Sequence, residues 1–120
     1  DRLDLILVTH AHSDHMGDAL ALAREHEALV ISNYDLCSYL EAQGAPRTSG
    51  MNLGGTQEAC GVAISMVRAD HSSGFLHQGL PVYGGLAAGF VVRSSGWSFY
   101  FAGDTALFSE LRQIGEVGIG

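Results

Sequence analysis

The sequence predicts one mixed α/β domain, a sheet with flanking helices. Three observations lead there. Short apolar runs alternate with helical patterns over the first forty-odd residues. A pair of β-like runs with a tight turn between them follows in the second half. Three polar segments, rich in histidine and aspartate, each stand at the end of an apolar run. Alternation of the two periods in one chain is the mark of sheet and helices sharing a core. The 120 residues suffice for one domain and are too few for two.

The elements follow in order. Residues 4–8 contain the continuous apolar run Leu5-Ile6-Leu7-Val8, too short for a helix, and are expected to form a buried strand. Residues 10–15 then read as a loop. Residues 17–26 carry Ala19, Leu20, Leu22 and Ala23 on one helical face. Residues 29–32 read as a second strand. Asn33 stands where an N-cap is needed for a helix holding Leu36, Cys37, Tyr39 and Leu40, which should stop near Gly44 with Pro46 beyond. A turn or short strand is expected at Met51-Asn52-Leu53. Residues 62–69 alternate, with Val62, Ile64 and Met66 on one face. Residues 75–85 read as a loop. Residues 86–93 and 97–102, joined by Ser94-Ser95-Gly96, give the best hairpin signal. A short helix is expected over about 107–114, and residues 115–120 read as a loop entering another strand.

Composition narrows the function. The net charge is −7, with 13 acidic against 6 basic residues, which argues against a nucleic-acid-binding surface. Cys37 and Cys60 lack metal-type spacing and read as two buried thiols in a reducing compartment. No apolar run approaches the ~20 residues of a membrane span, no signal-peptide pattern is visible, and a cytoplasmic location is expected. The start at Asp1 without methionine suggests trimming.

The chemistry concentrates in Thr9-His10-Ala11-His12-Ser13-Asp14-His15, three imidazoles and a carboxylate within six residues. Imidazole nitrogen and carboxylate oxygen suit zinc, and also iron or manganese. His10 and His12 can point to one side of an extended segment, with Asp14 and His15 turning back. His71 and Asp104 end later apolar runs, so a sheet can bring them to the same place. His10, His12 and His71 are then candidates for one ion, Asp14 and His15 for a second, and Asp104 for a bridge. Two ions about 3.5–4 Å apart can hold a hydroxide and polarise a substrate oxygen, which is hydrolytic chemistry needing no protein nucleophile. Taken singly, His71 reads as a surface histidine and Asp104 as a turn residue, with Thr105 capping a helix; the combination reverses this. His26 and His77 read as surface residues, and Tyr83, Trp97, Tyr100 and Phe101 as core or sheet packing.

Thr9-His10-Ala11-His12-Ser13-Asp14-His15, then His71, then Gly103-Asp104-Thr105, resembles the metallo-β-lactamase superfamily. Met51-Asn52-Leu53-Gly54-Gly55, Ala69-Asp70-His71-Ser72-Ser73-Gly74, the stretch from Tyr83 to Val91, and Ala102 to Phe108 resemble its branch of metal-dependent hydrolases related to L-ascorbate-6-phosphate lactonase. The resemblance implies an αββα sandwich and a one- or two-metal hydrolytic site. It assigns His10, His12 and His71 to the first ion, Asp14 and His15 to the second, Asp104 as bridge, and to Asp14 a role in orienting or deprotonating water. The flavodiiron branch carries Glu where this chain has His12, so the histidine favours hydrolysis. The family's domain is about twice as long. Its first strands should precede Asp1, and a last histidine ligand should follow Gly120. The chain therefore reads as a single partial domain over residues 1–120, either a piece of a larger protein or a naturally short relative whose open sheet face is covered by self-association in a homo-oligomer.

The leading expectation is a metal-dependent hydrolase, using a metal-bound hydroxide on a small lactone, ester, amide or phosphoester, with Zn2+ ahead of Mn2+ or Fe2+. The alternatives are a non-catalytic metal-binding fragment or oligomer of the same fold, and a nuclease of the same superfamily. No membrane partner is expected.

Overall fold

Alternate residues of the first strands face different neighbours, and this sets the layering. In the computed structural model, which describes residues 1–118, β1 (Leu5–Leu7), β2 (Leu29–Asn33) and β3 (Arg47–Met51) form a parallel sheet in the order β1-β2-β3. Ile6 and Val30 point to one side, where they pack with Ala19, Ala23, Leu36 and Leu40. Those four lie on the crossover helices α2 (Ala19–His26) and α3 (Tyr34–Ala42), which follow the single turn α1 (Ser13–Met16). Leu5, Leu7, Leu29 and Ile31 point the other way, onto a second sheet.

That sheet is antiparallel, in the order β4-β5-β8-β9. It comprises β4 (Thr56–Ala59), β5 (Val62–Arg68), β8 (Ala88–Ser94) and β9 (Trp97–Phe101). Ile64, Met66, Phe90 and Val92 fill the space between the sheets, and all four are buried. On the far side, Val67, Val91 and Tyr100 meet Phe108, Leu111 and Ile114 on and before α4 (Leu111–Gly118). The result is helix, sheet, sheet, helix. A separate hairpin, β6 (Phe75–His77) with β7 (Leu80–Val82), rests on α3, where the Tyr39 hydroxyl lies 2.7 Å from His77 Nδ1.

Several expectations need correction. The segment 10–15 is not all loop: Ser13–Met16 makes a helical turn, closed by Met16 N–H donating to His12 O at 2.8 Å. The first strand is half-buried, because it is the sheet's edge. Leu22 faces outward. At Met51-Asn52-Leu53 the turn is found, at Leu53-Gly54, directly after β3 ends at Met51. Strand β4 has no apolar alternation to mark it, and residues 75–85 contain a hairpin. Both overlooked hairpins turn through two residues of positive φ, Cys60-Gly61 (50° and 80°) and Gln78-Gly79 (52° and 79°), the type I′ geometry that suits strand twist. A non-glycine first residue hid that signal. The last helix begins later than expected and occupies Leu111–Gly118 in place of the loop; Ile119 and Gly120 lie outside the described residues. Cys37 is buried but Cys60 is exposed in its turn, and both are free thiols. His77 is a packing residue rather than a surface one. Tyr83, Trp97 and Phe101 are exposed, and only Tyr100 of that group packs inward.

Two side chains tie the layers together near the site. Asn33 caps α3 as expected, its Oδ1 accepting from Leu36 N–H at 2.7 Å, an interaction worth about 1 kcal/mol in such caps. Its Nδ2 donates to Gly84 O at 2.8 Å. Gly85 must be glycine: φ is +79°, and a Cβ there would overlap Asn33 Oδ1. The Ser32 hydroxyl donates to Val8 O at 2.8 Å, holding the end of β1 against β2. No helix among the described residues is long and apolar enough to cross a membrane.

Candidate metal centre

Three segments supply the site. The first leaves β1, and its backbone is held on both sides. Ala88 N–H donates to Thr9 O at 3.0 Å, and Ala11 N–H donates to Ser73 Oγ at 2.9 Å. Ser73 is buried and passes its own proton to Gly84 O. Ser73 thereby fastens the His10–His12 segment to the segment carrying His71. The α1 turn then brings His15 back over His10, with ring centroids 4.3 Å apart. The second segment follows β5 and the third follows β9. Ala106 N–H donates to Asp70 O, and Asp70 N–H donates to Thr105 Oγ1 at 2.8 Å. Thr105 thus does not cap a helix; it joins the Asp104 segment to the His71 segment.

The side chains converge in two overlapping groups. Ligand atoms of His10, His12 and His71 lie within 4.8 Å of one another, and so do those of His10, His15 and Asp104. The Asp104 carboxylate is the nearest common neighbour. Its Oδ2 lies 2.9 Å from His15 Nε2, 3.7 Å from His71 Nε2 and 3.8 Å from His10 Nε2. His12 Nε2 lies 3.1 Å from Ser72 Oγ. Asp14 stands at the rim, 79% exposed, with Oδ2 3.7 Å from His15 Nε2, outside both groups.

His10 is the centre of the arrangement. It is fully buried, yet its Nε2 has no hydrogen-bond partner among the described residues. A buried polar atom without a partner is costly and calls for an explanation. Burial, followed by the neighbouring His15, His12 and His71 and opposed by Asp104, lowers the His10 pKa from 6.5 to about 4, so the ring is neutral at pH 7. A neutral imidazole with an unpartnered nitrogen, among three more imidazoles and a carboxylate, fits a divalent metal ion by donor type.

Every residue singled out from the sequence lies at this end of the molecule. His10, His12, His71, His15 and Asp104 are brought into contact distance, and Asp14 is placed beside them. The hydroxyls of Thr9, Ser72 and Ser73 had no role in the sequence reading, and that of Thr105 was expected to cap a helix rather than to join two segments. All four adjoin the histidine or aspartate motifs, but which atom each would reach depends on the packing of two sheets.

An αββα sandwich with histidines and aspartate gathered at its strand ends defines the metallo-β-lactamase fold class. The family described as beta-lactamase superfamily domain matches residues 1–118, and the chain belongs to it. A UPF0173 metal-dependent hydrolase of Methanospirillum hungatei is 46% identical over 114 residues, covering 95% of this chain and 50% of that protein. One from Thermus thermophilus is 47% identical over 116 residues, covering 97% and 50%. Among solved structures, Igni18, a metallo hydrolase from Ignicoccus hospitalis, superposes with a TM-score of 0.80 at 35% identity, covering 97% of this chain and 48% of that one. The chain spans about half the length of the relatives it matches.

Proposed function

We propose that this chain carries the metal-binding portion of a hydrolase acting on a small lactone, ester, amide or phosphoester. It would hold one or two divalent ions, Zn2+ ahead of Mn2+ or Fe2+. His10, His12 and His71 would hold the first ion, His15 and Asp14 the second, and Asp104 would stand between. When bound, such an ion supplies a Lewis acid and acidifies water near neutral pH. The chain's own groups do the rest. Burial keeps His10 neutral and able to donate its lone pair. Asp104 Oδ2, 2.9 Å from His15 Nε2, would set where that ring stands. Asp14, exposed at the rim, is placed to orient or deprotonate an incoming water.

The observation that carries the reading is the unpartnered, fully buried Nε2 of His10 amid four other ligand-type side chains from three segments. The names of the relatives support hydrolysis. The test is metal stoichiometry together with turnover on a panel of lactones, carboxylic esters, amides and phosphodiesters. Bound metal and turnover that both fall in His12→Ala are expected; absence of metal binding would overturn the reading.

A non-catalytic, self-associating metal protein is the second reading, favoured by a specific feature. Trp97, Phe99 and Phe101 of β9 lie beside Ser94, Val92 and Phe90, on the side facing the other sheet, yet each is about half exposed. A second copy seated on this ladder would cover it. Light scattering showing a metal-loaded dimer without turnover would favour this reading, and a monomer with turnover would exclude it. A nuclease is the weakest reading, because the net charge of −7 opposes phosphate binding. The proposed setting is cytoplasmic.

A further inference from the structure

We propose that Thr9 is the positioning residue shared by both ligand groups, setting the ring of His10 through its hydroxyl and the place of Asp104 through its contact with Gly103. This rests on the metal-binding reading of the site.

Two independent contacts carry it. Thr9 Oγ1 lies 2.8 Å from His10 Nδ1, and both residues are buried. A metal needs a lone pair on Nε2, so the proton must reside on Nδ1, where it is donated to Thr9 Oγ1. The opposite tautomer would aim an N–H at Asp104 Oδ2 from 3.8 Å, too far for a hydrogen bond, and leave a buried donor unpaired. On its other side, Thr9 meets the backbone just before Asp104. Gly103 has φ +62°, and a Cβ there would come within 2.8–3.0 Å of Thr9 Oγ1, Cβ and Cγ2. The backbone of Thr9 is itself held by Ala88. One side chain therefore sits between the histidine common to both groups and the carboxylate nearest to all of its partners.

Thr9→Val keeps the shape and removes the hydroxyl; Thr9→Ser keeps the hydroxyl and removes the methyl. Imidazole 15N shifts in the metal-free protein read the tautomer of His10 without any metal, and titration with Zn2+ or Co2+ reads affinity. Wild type and Thr9→Ser should show the proton on Nδ1. Thr9→Val should lose that preference and bind the ion roughly 10–100-fold more weakly. Gly103→Ala keeps the Thr9 hydroxyl in the chain but presses a Cβ against it; it should displace Asp104 relative to Thr9, weaken binding and alter the Co2+ absorption spectrum, and wild-type affinity with an unchanged spectrum would reject the role of Thr9 toward Asp104. A folded Thr9→Val with the wild-type tautomer and affinity would overturn the proposal, as would a Thr9→Ser as impaired as Thr9→Val. If Thr9→Val does not fold, Thr9→Ala serves the same comparison. Loss of the tautomer in Thr9→Val while wild type binds no metal would sustain the role of Thr9 toward His10 and reject the metal reading.

Discussion

The two ligand groups share His10 but are built differently. His10, His12 and His71 are all imidazoles, joined by Ser73, which hydrogen-bonds to Ala11 beside His10 and His12 and lies two residues after His71. His10, His15 and Asp104 include a carboxylate, depend on the α1 turn for His15, and already contain a 2.9 Å contact between two of their members. The first group leaves its central nitrogen unpartnered. The second partly satisfies itself. An ion entering the first displaces nothing from His10 and parts His12 only from the neutral Ser72 hydroxyl, 3.1 Å away, whereas an ion entering the second must part His15 from the Asp104 carboxylate, 2.9 Å away. The first position should therefore be the tighter one.

The largest effect expected is that of His10→Ala, which removes the member common to both groups. One imidazole nitrogen holds one ion, so binding at the first position should fall by far more than the ~10–100-fold typical of supporting residues, with a smaller loss at the second, where the His10 ring packs 4.3 Å from that of His15; calorimetric titration with Zn2+ would read this. Wild-type affinity at the first position would break the comparison. Next come the two separating variants. His71→Ala should weaken the first position and spare the second; Asp104→Ala, which removes the group that would stand between the ions, should weaken the second more than the first. Equal losses at both would mean that the groups act as one.

A smaller effect concerns protons. The folded-state pKa of His10 is lowered to about 4, chiefly by burial, against 6.5 when unfolded. Below pH 6.5 the unfolded chain takes up a proton that the folded chain refuses, so stability falls as pH drops. The loss is complete once pH passes the folded value near 4, and amounts to roughly 3 kcal/mol. Urea melts of the metal-free protein at pH 7 and pH 4 should show this slope, and His10→Asn should flatten it. The smallest effect on binding is expected for Asp14→Asn, because Asp14 lies at the rim. Its second-ion affinity should fall less than that of His15→Ala, while turnover falls. An Asp14→Asn protein with unchanged second-ion affinity would remove Asp14 from the ligand set.

The fold class was legible because strand and helix periods alternate plainly between residues 4 and 44, and because Asn33 and Gly44 punctuate the second helix. The site was legible for a different reason: ligand-type residues crowd into 10–15, where chance and packing rarely put them. What escaped was local and weak in signal. Strand β4 is polar and at an edge, so no alternation marks it. The turns at Cys60-Gly61 and Gln78-Gly79 use a residue type that seldom takes positive φ. His77 lacks any ligand neighbour in sequence, and its partner Tyr39 is 38 residues away.

By itself, then, the sequence determined the donor set: which imidazoles and carboxylates exist, and that they end apolar strands. Tertiary structure alone decided their grouping. Whether Asp104 faces His15 or His71, whether Asp14 points inward, and which hydroxyl fixes each ring are settled by how two sheets pack and where Gly84, Gly85 and Gly103 allow backbones to touch side chains. Those contacts join residues dozens of positions apart, and no periodicity along a chain encodes a distance across it.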